Sequence, residues 1–424
     1  MTEESLEAEV GVWSNTTELI EIPCSLRALC VDQTLQTVEK TAHDIGVTRI
    51  ANVTGLDRIG IPTCMVVRPG SKSLSVSQGK GRTWKAAKVS GLMEAIELFH
   101  AENLPSGQLI RACDFGKSEA IPNLLDLSIR ASSRVSADHE IECLPARELT
   151  TQALRFVPRE LIDLDTTSGS RRDRIFRSST VGLAAGNTLG ESVLHGLLEV
   201  VESDCVSFWQ VRRLIDEDTH CRKLNLCSVS DHDSQSLISL IARAGLDLSV
   251  WYISDYHEIP CFMATISDQS VSSGFPKECN GFGCHVSKSV ALCRALLEAA
   301  QSRLTAYWGV RDDLSWQYYL KEKDKWSSLT HRQPESEHRH TGILSYNNIR
   351  EMDGTKTVEA SLSWTTSELS KAGIENVNYV DLTSSEFKVP VTFTVVPRME
   401  QFELDGRYLA GARMSTFLRK LNGQ

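Results

Sequence analysis

Long apolar runs, a secretory signal and a surplus of positive charge are all missing from this chain of 424 residues. No run approaches the roughly 20 apolar residues that a membrane-spanning helix requires. The acidic start MTEESLEAEV has neither the basic nor the apolar region of a signal peptide. The formal net charge of −10 argues against a nucleic-acid partner. We therefore expect a cytoplasmic protein that works with neither a membrane nor a nucleic acid.

The twelve cysteines include no CxxC pair. Several of them, such as Cys205 and Cys293, lie within apolar helical patterns, which favours buried reduced thiols over disulfides. The nearest approach to a zinc cluster is Cys279, Cys284 and His285, and no second close-spaced pair completes it. The phosphate-binding pattern GxxxxGK[ST] is missing as well, so a nucleotide would have to be held in another way.

Acidic residues inside apolar helices are the most distinctive feature that is present. In NTLGESVLHGLLEVVESD, Glu199 and Glu202 are three residues apart and so share a helical face, yet leucines and valines surround them. Glu94 and Glu97 repeat this arrangement in SGLMEAIELF. A solvated acidic face has polar neighbours, and these two pairs do not.

An internal repeat connects the acidic helices. Shifting the sequence by 105 residues superposes the first glutamate pair on the second, and a shift of 204 residues brings Glu298 and Gln301 of RALLEAAQSR into the same register. In this register Ser90, His195 and Arg294 fall in one column. The sequence therefore predicts three related strand–loop–helix units, each presenting acid or amide groups from an apolar helix.

Two interpretations of the acidic pairs stay open at this point. A glutamate pair at this spacing commonly marks a solvated helix face, and weak similarity among Ala/Leu/Glu-rich helices can arise by chance. Ionised carboxylates in apolar surroundings are costly, however, unless they are paired or bind cations. Two such pairs that face each other need a divalent metal. Mg²⁺ suits them because it takes carboxylate oxygens and leaves coordination sites for phosphate.

The hydrophobic pattern predicts a mixed α/β protein (α+β). Helices are expected over residues 27–44, with Asp32 or Thr34 as the cap, over 84–103 and 287–307, and through the second acidic stretch. A short strand is expected at ELIEI. Adjacent strands are expected at VWYISD and IPCFMATISD, and again at VNYVDLT and VPVTFTVV, before a polar tail.

Three polar segments each have two interpretations, a phosphate or metal contact and a solvated loop. They are the arginine-rich loop DLDTTSGSRRDRIFRSST (163–180) with Arg171, Arg172, Arg174 and Arg177, the charge-dense residues 321–340 with His331, His338 and His340, and the tripeptide Gly79-Lys80-Gly81. The sequence alone favours the solvated loop in each case.

Five stretches in this order resemble the YcaO family, and the resemblance covers about residues 27–400. They are TRIANVTGLDRIGIP (48–62), GKGRTWKAAKVSGLMEAIE (79–97), GLAAGNTLGESVLHGLLEVVE (182–202), GFGCHVSKSVALCRALLEAAQSR (281–303) and VDLTSSEFKVPVTFTVVP (380–397). Members of that family bind ATP without a Walker motif, and many phosphorylate a peptide amide oxygen. Attack by a Cys, Ser or Thr side chain then gives an azoline, and attack by sulfide gives a thioamide.

The resemblance implies a YcaO-like fold around a site for ATP and Mg²⁺. An N-terminal segment (1–45) would contribute to the nucleotide site, a catalytic domain would span 46–400, and a C-terminal tail would follow at 401–424. The implied metal ligands are Glu94, Glu97, Glu199 and Glu202. The implied nucleotide contacts are Arg27, Thr34, Ser90, Asn187, Glu191, Arg294, Glu298 and Gln301. Arg294 and Glu202 would be catalytic, because the transferred phosphoryl group must be held and neutralised.

Two departures from the family pattern affect the expected product and partners. Ser203 follows Glu202 where many relatives carry an arginine, so the arginine-rich loop would neutralise the phosphate instead. The ending RKLNGQ lacks the proline-rich terminus of azoline-forming members. We expect a precursor peptide or protein as substrate, a TfuA-like partner, a thioamide or other non-azoline product, and a homodimer among the assemblies. The alternative is an ATP-binding scaffold that presents a peptide to another enzyme.

Overall fold

The computed structural model describes residues 16–130, 133, 135–167, 174–215, 222–270, 276–308, 343–354, 356–402 and 409–421. Helices and strands are mixed along the chain, and every strand ladder within these residues is antiparallel. This architecture confirms the predicted mixed class. None of the described helices is long and apolar enough to cross a membrane.

The described helices and strands have the following bounds. The helices are α1 (Val31–Asp44), α2 (Trp84–Glu102), α3 (Leu189–Ile215), α4 (His232–Arg243), α5 (Lys288–Trp308), α6 (Val358–Lys371) and α7 (Ala412–Leu421). The strands are β1 (Ile20–Ile22), β2 (Ser25–Arg27), β3 (Arg49–Asn52), β4 (Thr63–Val67), β5 (Val76–Lys80), β6 (Gln108–Arg111), β7 (Glu140–Glu148), β8 (Leu154–Pro158), β9 (Leu183–Ala185), β10 (Arg222–Lys223), β11 (Asp247–Tyr252), β12 (Cys261–Ser267), β13 (Glu278–Cys284), β14 (Asn378–Asp381) and β15 (Val391–Val395).

Three sheets each end on a strand that leads into one of the long helices. Their strand orders are β3-β4-β5, β10-β11-β12-β13 and β6-β7-β14-β15-β9, with β8 paired to β7. The terminal strands β5, β9 and β13 run directly into α2, α3 and α5. The predicted strand–loop–helix units are therefore present, and we call them unit 1 (β5–α2), unit 2 (β9–α3) and unit 3 (β13–α5).

Glycine lets the strand and helix of a unit approach each other closely. A Cβ atom on Gly79 would lie 2.0 Å from the carbonyl oxygen of Ala87 in unit 1, and one on Gly283 would lie 2.2 Å from that of Ala291 in unit 3. The shift of 204 residues that aligns the acids aligns these glycines and alanines too. Any side chain would force the helix away from the strand, so glycine fixes both helices at the same distance.

The apolar residues around the acids form the core. Leu92 and Ile96 of α2, Leu197 of α3 and Leu296 of α5 are completely buried. A helix that is apolar on nearly all sides packs inside a protein, which explains why the acidic pairs have apolar neighbours in the sequence. The glutamates occupy the remaining face of each helix, and that face is directed toward the other units.

Two sequence predictions about the ends of the chain are wrong in detail. The helix expected from residue 27 begins at Val31 with Cys30 as its N-cap, because β1 and β2 form a hairpin whose turn places Cys24 at a φ of 62°. The expected polar tail contains the helix α7, which packs on α3. Arg413 of α7 pairs with the buried Asp204, 2.7 Å away.

Candidate active site

A cavity of about 620 Å³ lies where the three units meet. Its size is typical of sites for small molecules and cofactors. All the residues that the sequence proposed for metal and nucleotide line it, namely Arg27, Thr34, Ser90, Glu94, Glu97, Asn187, Glu191, Glu199, Glu202, Arg294, Glu298 and Gln301. We call it the carboxylate cavity. Arg27 and Gln301, which are 274 positions apart in the sequence, therefore share one site.

The first acid of each unit is fixed by a backbone N–H at the strand of the same unit. A backbone N–H in β5, just before β9 or in β13 donates to one carboxylate oxygen. The three bonds are Gln78 N to Glu94 Oε2 (3.0 Å), Gly182 N to Glu199 Oε2 (3.3 Å) and Phe282 N to Glu298 Oε1 (3.2 Å). The repeat seen in the sequence is thus also a repeat of hydrogen bonds.

The second acid of units 1 and 2 reaches the strand of the next unit. Ala185 N of β9 donates to Glu97 Oε1 at 2.7 Å, and Cys284 N of β13 donates to Glu202 Oε2 at 2.8 Å. Unit 1 is therefore bonded to unit 2, and unit 2 to unit 3. Both second acids also line the cavity.

Unit 3 completes a ring by contacting unit 1. The hydroxyl of Thr305 on α5 donates to the side-chain oxygen of Gln78 on β5. Lys80 Nζ on β5 lies 2.8 Å from Glu298 Oε2 on α5. Two interpretations of Lys80 were open from the sequence, and the structure places it on the cavity lining instead of in a solvated turn. The short Gly79-Lys80-Gly81 pattern was the signal for it.

Burial and mutual repulsion keep the cavity acids from ionising readily. The pKa of Glu97 is raised to about 8, chiefly by burial. Burial and the neighbouring Glu298 raise the pKa of Glu202 to about 7. The pKa of Glu199 lies well above its usual value because of burial and the charges of Glu97 and Glu202. These carboxyls are partly accessible, but only from the cavity. A cation placed there would relieve all three shifts.

The donor set fits Mg²⁺ better than a metal held entirely by protein. Within the described part of the chain, no three His, Cys, Asp or Glu side chains are gathered tightly enough to hold an ion alone. The carboxylates instead stand apart on the cavity walls, and Mg²⁺ commonly uses a few carboxylates together with water and phosphate oxygens. The grouping of Cys279, Cys284 and His285 makes no metal site, and the described cysteines are free thiols.

The N-terminal segment is tied to the start of α3 at one end of the cavity. Thr34 Oγ1 donates to Asn187 Oδ1 at 2.9 Å, and the Asn187 side chain donates to Glu191 Oε2 at 3.0 Å. Arg27 Nη1 lies 3.5 Å from Glu191 Oε1. The residues that the resemblance assigned least directly, Arg27 and Thr34, therefore line the same wall as the residues of unit 2.

The described arginines of the arginine-rich loop do not line the cavity, although the last residue of the loop, Thr180, does. Arg174 donates to the carbonyl of Asp163 at 2.8 Å and pairs with its carboxylate at 3.2 Å, and neither Arg174 nor Arg177 lines the cavity. Ser203 does not line it either. Arg171, Arg172 and the histidines at 331, 338 and 340 lie outside the described residues. The charge of Arg294 acts on Glu97, Glu199 and Glu202, and its Nη1 lies 3.1 Å from His195 Nε2.

Two relatives resemble the chain over most of its length. An uncharacterized protein of Methanothermobacter thermautotrophicus is 31% identical over 395 residues, which cover 89% of this chain and 96% of the relative. An uncharacterized protein in the tfuA 3′ region of Rhizobium leguminosarum bv. trifolii is 30% identical over 399 residues, which cover 90% of each.

Solved structures share the fold. YcaO from Methanopyrus kandleri, bound with AMPPCP and Mg²⁺, superposes with a TM-score of 0.70 at 23% identity and covers 92% of this chain and 97% of its own. A heterocyclase in complex with substrate and cofactor superposes with a TM-score of 0.73 at 19% identity, over 97% of this chain and 56% of its own.

A family profile extends the match across the site. Residues 78–400 match the family described as YcaO cyclodehydratase, ATP- and Mg²⁺-binding. This range includes α2, α3 and α5 with all the helical acids of the carboxylate cavity. The chain therefore belongs to the YcaO family of ATP-dependent enzymes, whose cofactors are ATP and Mg²⁺.

Proposed function

We propose that this protein transfers the γ-phosphoryl group of ATP to a backbone amide oxygen of a precursor peptide or protein. The observation that carries the proposal is the set of raised-pKa glutamates, Glu97, Glu199 and Glu202, facing Arg294 across one cavity. A nucleophile then adds to the activated carbon, and the former amide oxygen leaves as phosphate. A Cys, Ser or Thr side chain gives an azoline, and sulfide gives a thioamide.

The roles of the cavity residues follow from their chemistry. We assign Mg²⁺ to Glu94, Glu97, Glu199 and Glu202. We assign the nucleotide to Arg27, Thr34, Ser90, Asn187, Glu191, Arg294, Glu298 and Gln301. Both assignments are supported by the placement of these residues around one cavity. The adenosine end would lie at the N-terminal segment, and the phosphates would lie near Arg294, where the acidic pairs of units 1 and 2 meet.

Catalysis of this transfer rests on positioning and on charge. An amide oxygen is a weak nucleophile, so the acceptor must be held in line with the phosphoryl group that bound Mg·ATP supplies. Arg294 offers fixed positive charge where negative charge develops, which is worth most in a site that excludes water. The backbone N–H groups of Ala185 and Cys284 hold one oxygen of Glu97 and Glu202, so each second oxygen keeps a fixed direction.

Neutralising the acids tests the assignment. At a hundred times its Kd, Mg·ATP should stabilise the wild-type protein by about 2.7 kcal/mol. We expect Glu199→Gln and Glu202→Gln to lose this stabilisation while the metal-free proteins remain folded. The matched control is Glu386→Gln, which removes a carboxylate from an exposed loop and should respond like the wild type. Stabilisation of both cavity variants at the wild-type level would refute the assignment.

The mass change of the peptide identifies the product. The protein would be incubated with ATP, candidate peptides and a sulfide source, with and without a TfuA-like protein. We favour a thioamide made with such a partner, because a relative at 30% identity is named for its place in the tfuA 3′ region. Replacement of oxygen by sulfur in the peptide would support this outcome, and loss of water would show that the product is an azoline.

A second candidate is a scaffold that binds ATP and presents a peptide to another enzyme. It is favoured by Ser203, which stands where many family members carry an arginine and which does not line the cavity. The cavity then has fewer cations for phosphoryl transfer than those members have. Hydrolysis of ATP by the purified protein that depends on added peptide would exclude the scaffold.

A further inference from the structure

Arg294 is held by a histidine rather than by a carboxylate. Its Nη1 lies 3.1 Å from His195 Nε2, and in the described part of the chain no carboxylate forms an ion pair with it. A guanidinium nitrogen can only donate a hydrogen bond. His195 Nε2 must therefore be the unprotonated acceptor, and the imidazole is neutral with its hydrogen on Nδ1. Burial and the charge of Arg294 also hold the pKa of His195 well below its usual value.

The other cations of the carboxylate cavity have a different kind of partner. Arg27 pairs with Glu191 and Lys80 pairs with Glu298, so in both cases a negative charge cancels the positive one. A neutral imidazole instead fixes the direction of a guanidinium and leaves its charge in place. Glu199 and Glu202 lower the local potential around Arg294, but neither of them takes it as a direct partner.

The His195–Arg294 pair also has donors that the described residues do not use. His195 Nδ1 and Arg294 Nε are both buried without a hydrogen-bond partner in the described part of the chain. Both side chains line the cavity. Buried donors without acceptors are costly, and they are uncommon except where a ligand, an ion or a water completes them. The pair therefore has unused hydrogen-bonding capacity beside the cavity.

We propose that His195 is a positioning residue that orients Arg294 without neutralising it, so that Arg294 binds the terminal phosphates of the nucleotide. This inference rests on the proposed function. An apolar residue at position 195 would leave the guanidinium unoriented. A carboxylate there would hold it but would cancel the charge that the phosphates need.

The test measures the preference for Mg·ATP over Mg·AMP, which isolates the contribution of the terminal phosphates. Dissociation constants of both nucleotides are determined for the full chain by calorimetry. We expect His195→Leu to reduce this preference about tenfold or more, because Arg294 loses its partner. His195→Gln supplies an uncharged acceptor and should keep the preference within about threefold. His195→Glu keeps an acceptor but adds a charge, and it should lose the preference as His195→Leu does.

Two controls separate orientation from stability. His100 is a buried histidine of α2 outside the cavity, with Nδ1 2.7 Å from the carbonyl of Ile96. His100→Leu should lower the melting temperature and leave the nucleotide preference unchanged. In an Arg294→Gln background, His195→Leu should cause no further loss of preference, since His195 acts through Arg294.

The inference is overturned if His195→Leu binds both nucleotides with the wild-type preference, or if its effect adds fully to that of Arg294→Gln. Equal losses in His195→Gln and His195→Leu would also overturn it, because the acceptor would then be irrelevant. If His195→Leu does not fold, the contrast between the Gln and Glu variants still decides the question. Failure of the proposed function is recognised separately, since the wild type would then show no peptide-dependent hydrolysis of ATP, which the binding experiment does not measure.

Discussion

Glu97 and Glu102 lie five residues apart on α2 and are both surrounded by protein, but their environments are opposite. Glu102 is 2% exposed and accepts hydrogen bonds from Arg68 Nη2 at 2.7 Å and from Ser73 N at 3.0 Å, besides one from the Ser71 hydroxyl. Burial alone would raise its pKa, but the serines and Arg68 bring it below its usual value. Glu97 has one backbone donor and a pKa of about 8.

The difference distinguishes an acid that supports the fold from an acid that binds a ligand. Glu102 is complete without any ligand, since its charge is matched and both oxygens are bonded. Glu97 shares its cavity with Glu199 and Glu202, whose pKa values are raised too, and a single backbone N–H donates to it. Perturbed acids in a cleft are candidates for function, and one helix here carries both kinds.

The largest contrast is expected when each acid is replaced by its amide. Glu102→Gln leaves Arg68 buried beside a neutral group and should lower the free energy of unfolding by about 3 kcal/mol or more. Glu97→Gln removes a carboxyl whose ionised form is disfavoured by burial and by its neighbours, so the free energy of unfolding should stay the same or rise. Urea unfolding of the metal-free proteins measures both, and equal destabilisation by the two changes would remove the distinction.

The next largest effect is expected in the dependence of folding stability on pH. The folded pKa values of Glu97 and Glu202, about 8 and about 7, exceed the unfolded value, so the folded protein binds more protons in this range. The contribution of these acids to stability is therefore lost as pH rises toward 8, by up to about 1.4 kcal/mol per pH unit for each carboxylate.

Melting curves in EDTA between pH 6.5 and 8 would measure this loss. The buried histidines His100, His195 and His285 have lowered pKa values, so their opposite contribution is already complete above about pH 6.5. Mg·ATP should stabilise the protein more at pH 8 than at pH 6.5, since Mg²⁺ binds the ionised carboxylates. A melting temperature that rises with pH in EDTA would contradict the raised pKa values.

Lys80→Met should have the smallest effect on stability. Lys80 and Glu298 form an ion pair, but their side chains are 25% and 31% exposed. Such a pair contributes about 1 kcal/mol or less, and water can solvate what remains. Suppose this variant unfolds like the wild type but binds Mg·ATP with a different affinity. Lys80 would then contribute to ligand binding rather than to folding stability, which would extend the distinction between Glu97 and Glu102 to a cation.

The sequence predicted the arrangement of the acids better than it predicted the ends of the chain. The acids recur at offsets that reflect a repeated strand and helix, and the structure gathers all of them in one cavity. The hairpin before α1 could not be predicted, because its turn depends on Cys24 adopting a positive φ and on Asp233, whose side chain accepts a hydrogen bond from Cys24 N at 2.7 Å.

The roles of Lys80 and Arg413 depend on partners that are distant in the sequence. Glu298 lies 218 residues from Lys80, and Asp204 lies 209 residues from Arg413. The neighbouring sequence predicts that both cations are polar surface residues. Their partners are visible only in the tertiary structure. The same limit applied to His195, which the repeat aligned with Ser90 and Arg294 but whose hydrogen bond only the structure identifies.

The ring of three units has one further consequence, which concerns direction. Three identical units would give a cavity with three equivalent ways to receive an elongated ligand. Here the amide Gln301 stands in unit 3 at the position of the second acid. The aligned position occupied by Ser90, His195 and Arg294 holds a hydroxyl, an imidazole and a guanidinium in turn. The repeat therefore supplies the walls, and the departures from it leave a molecule with two different ends a single way to bind.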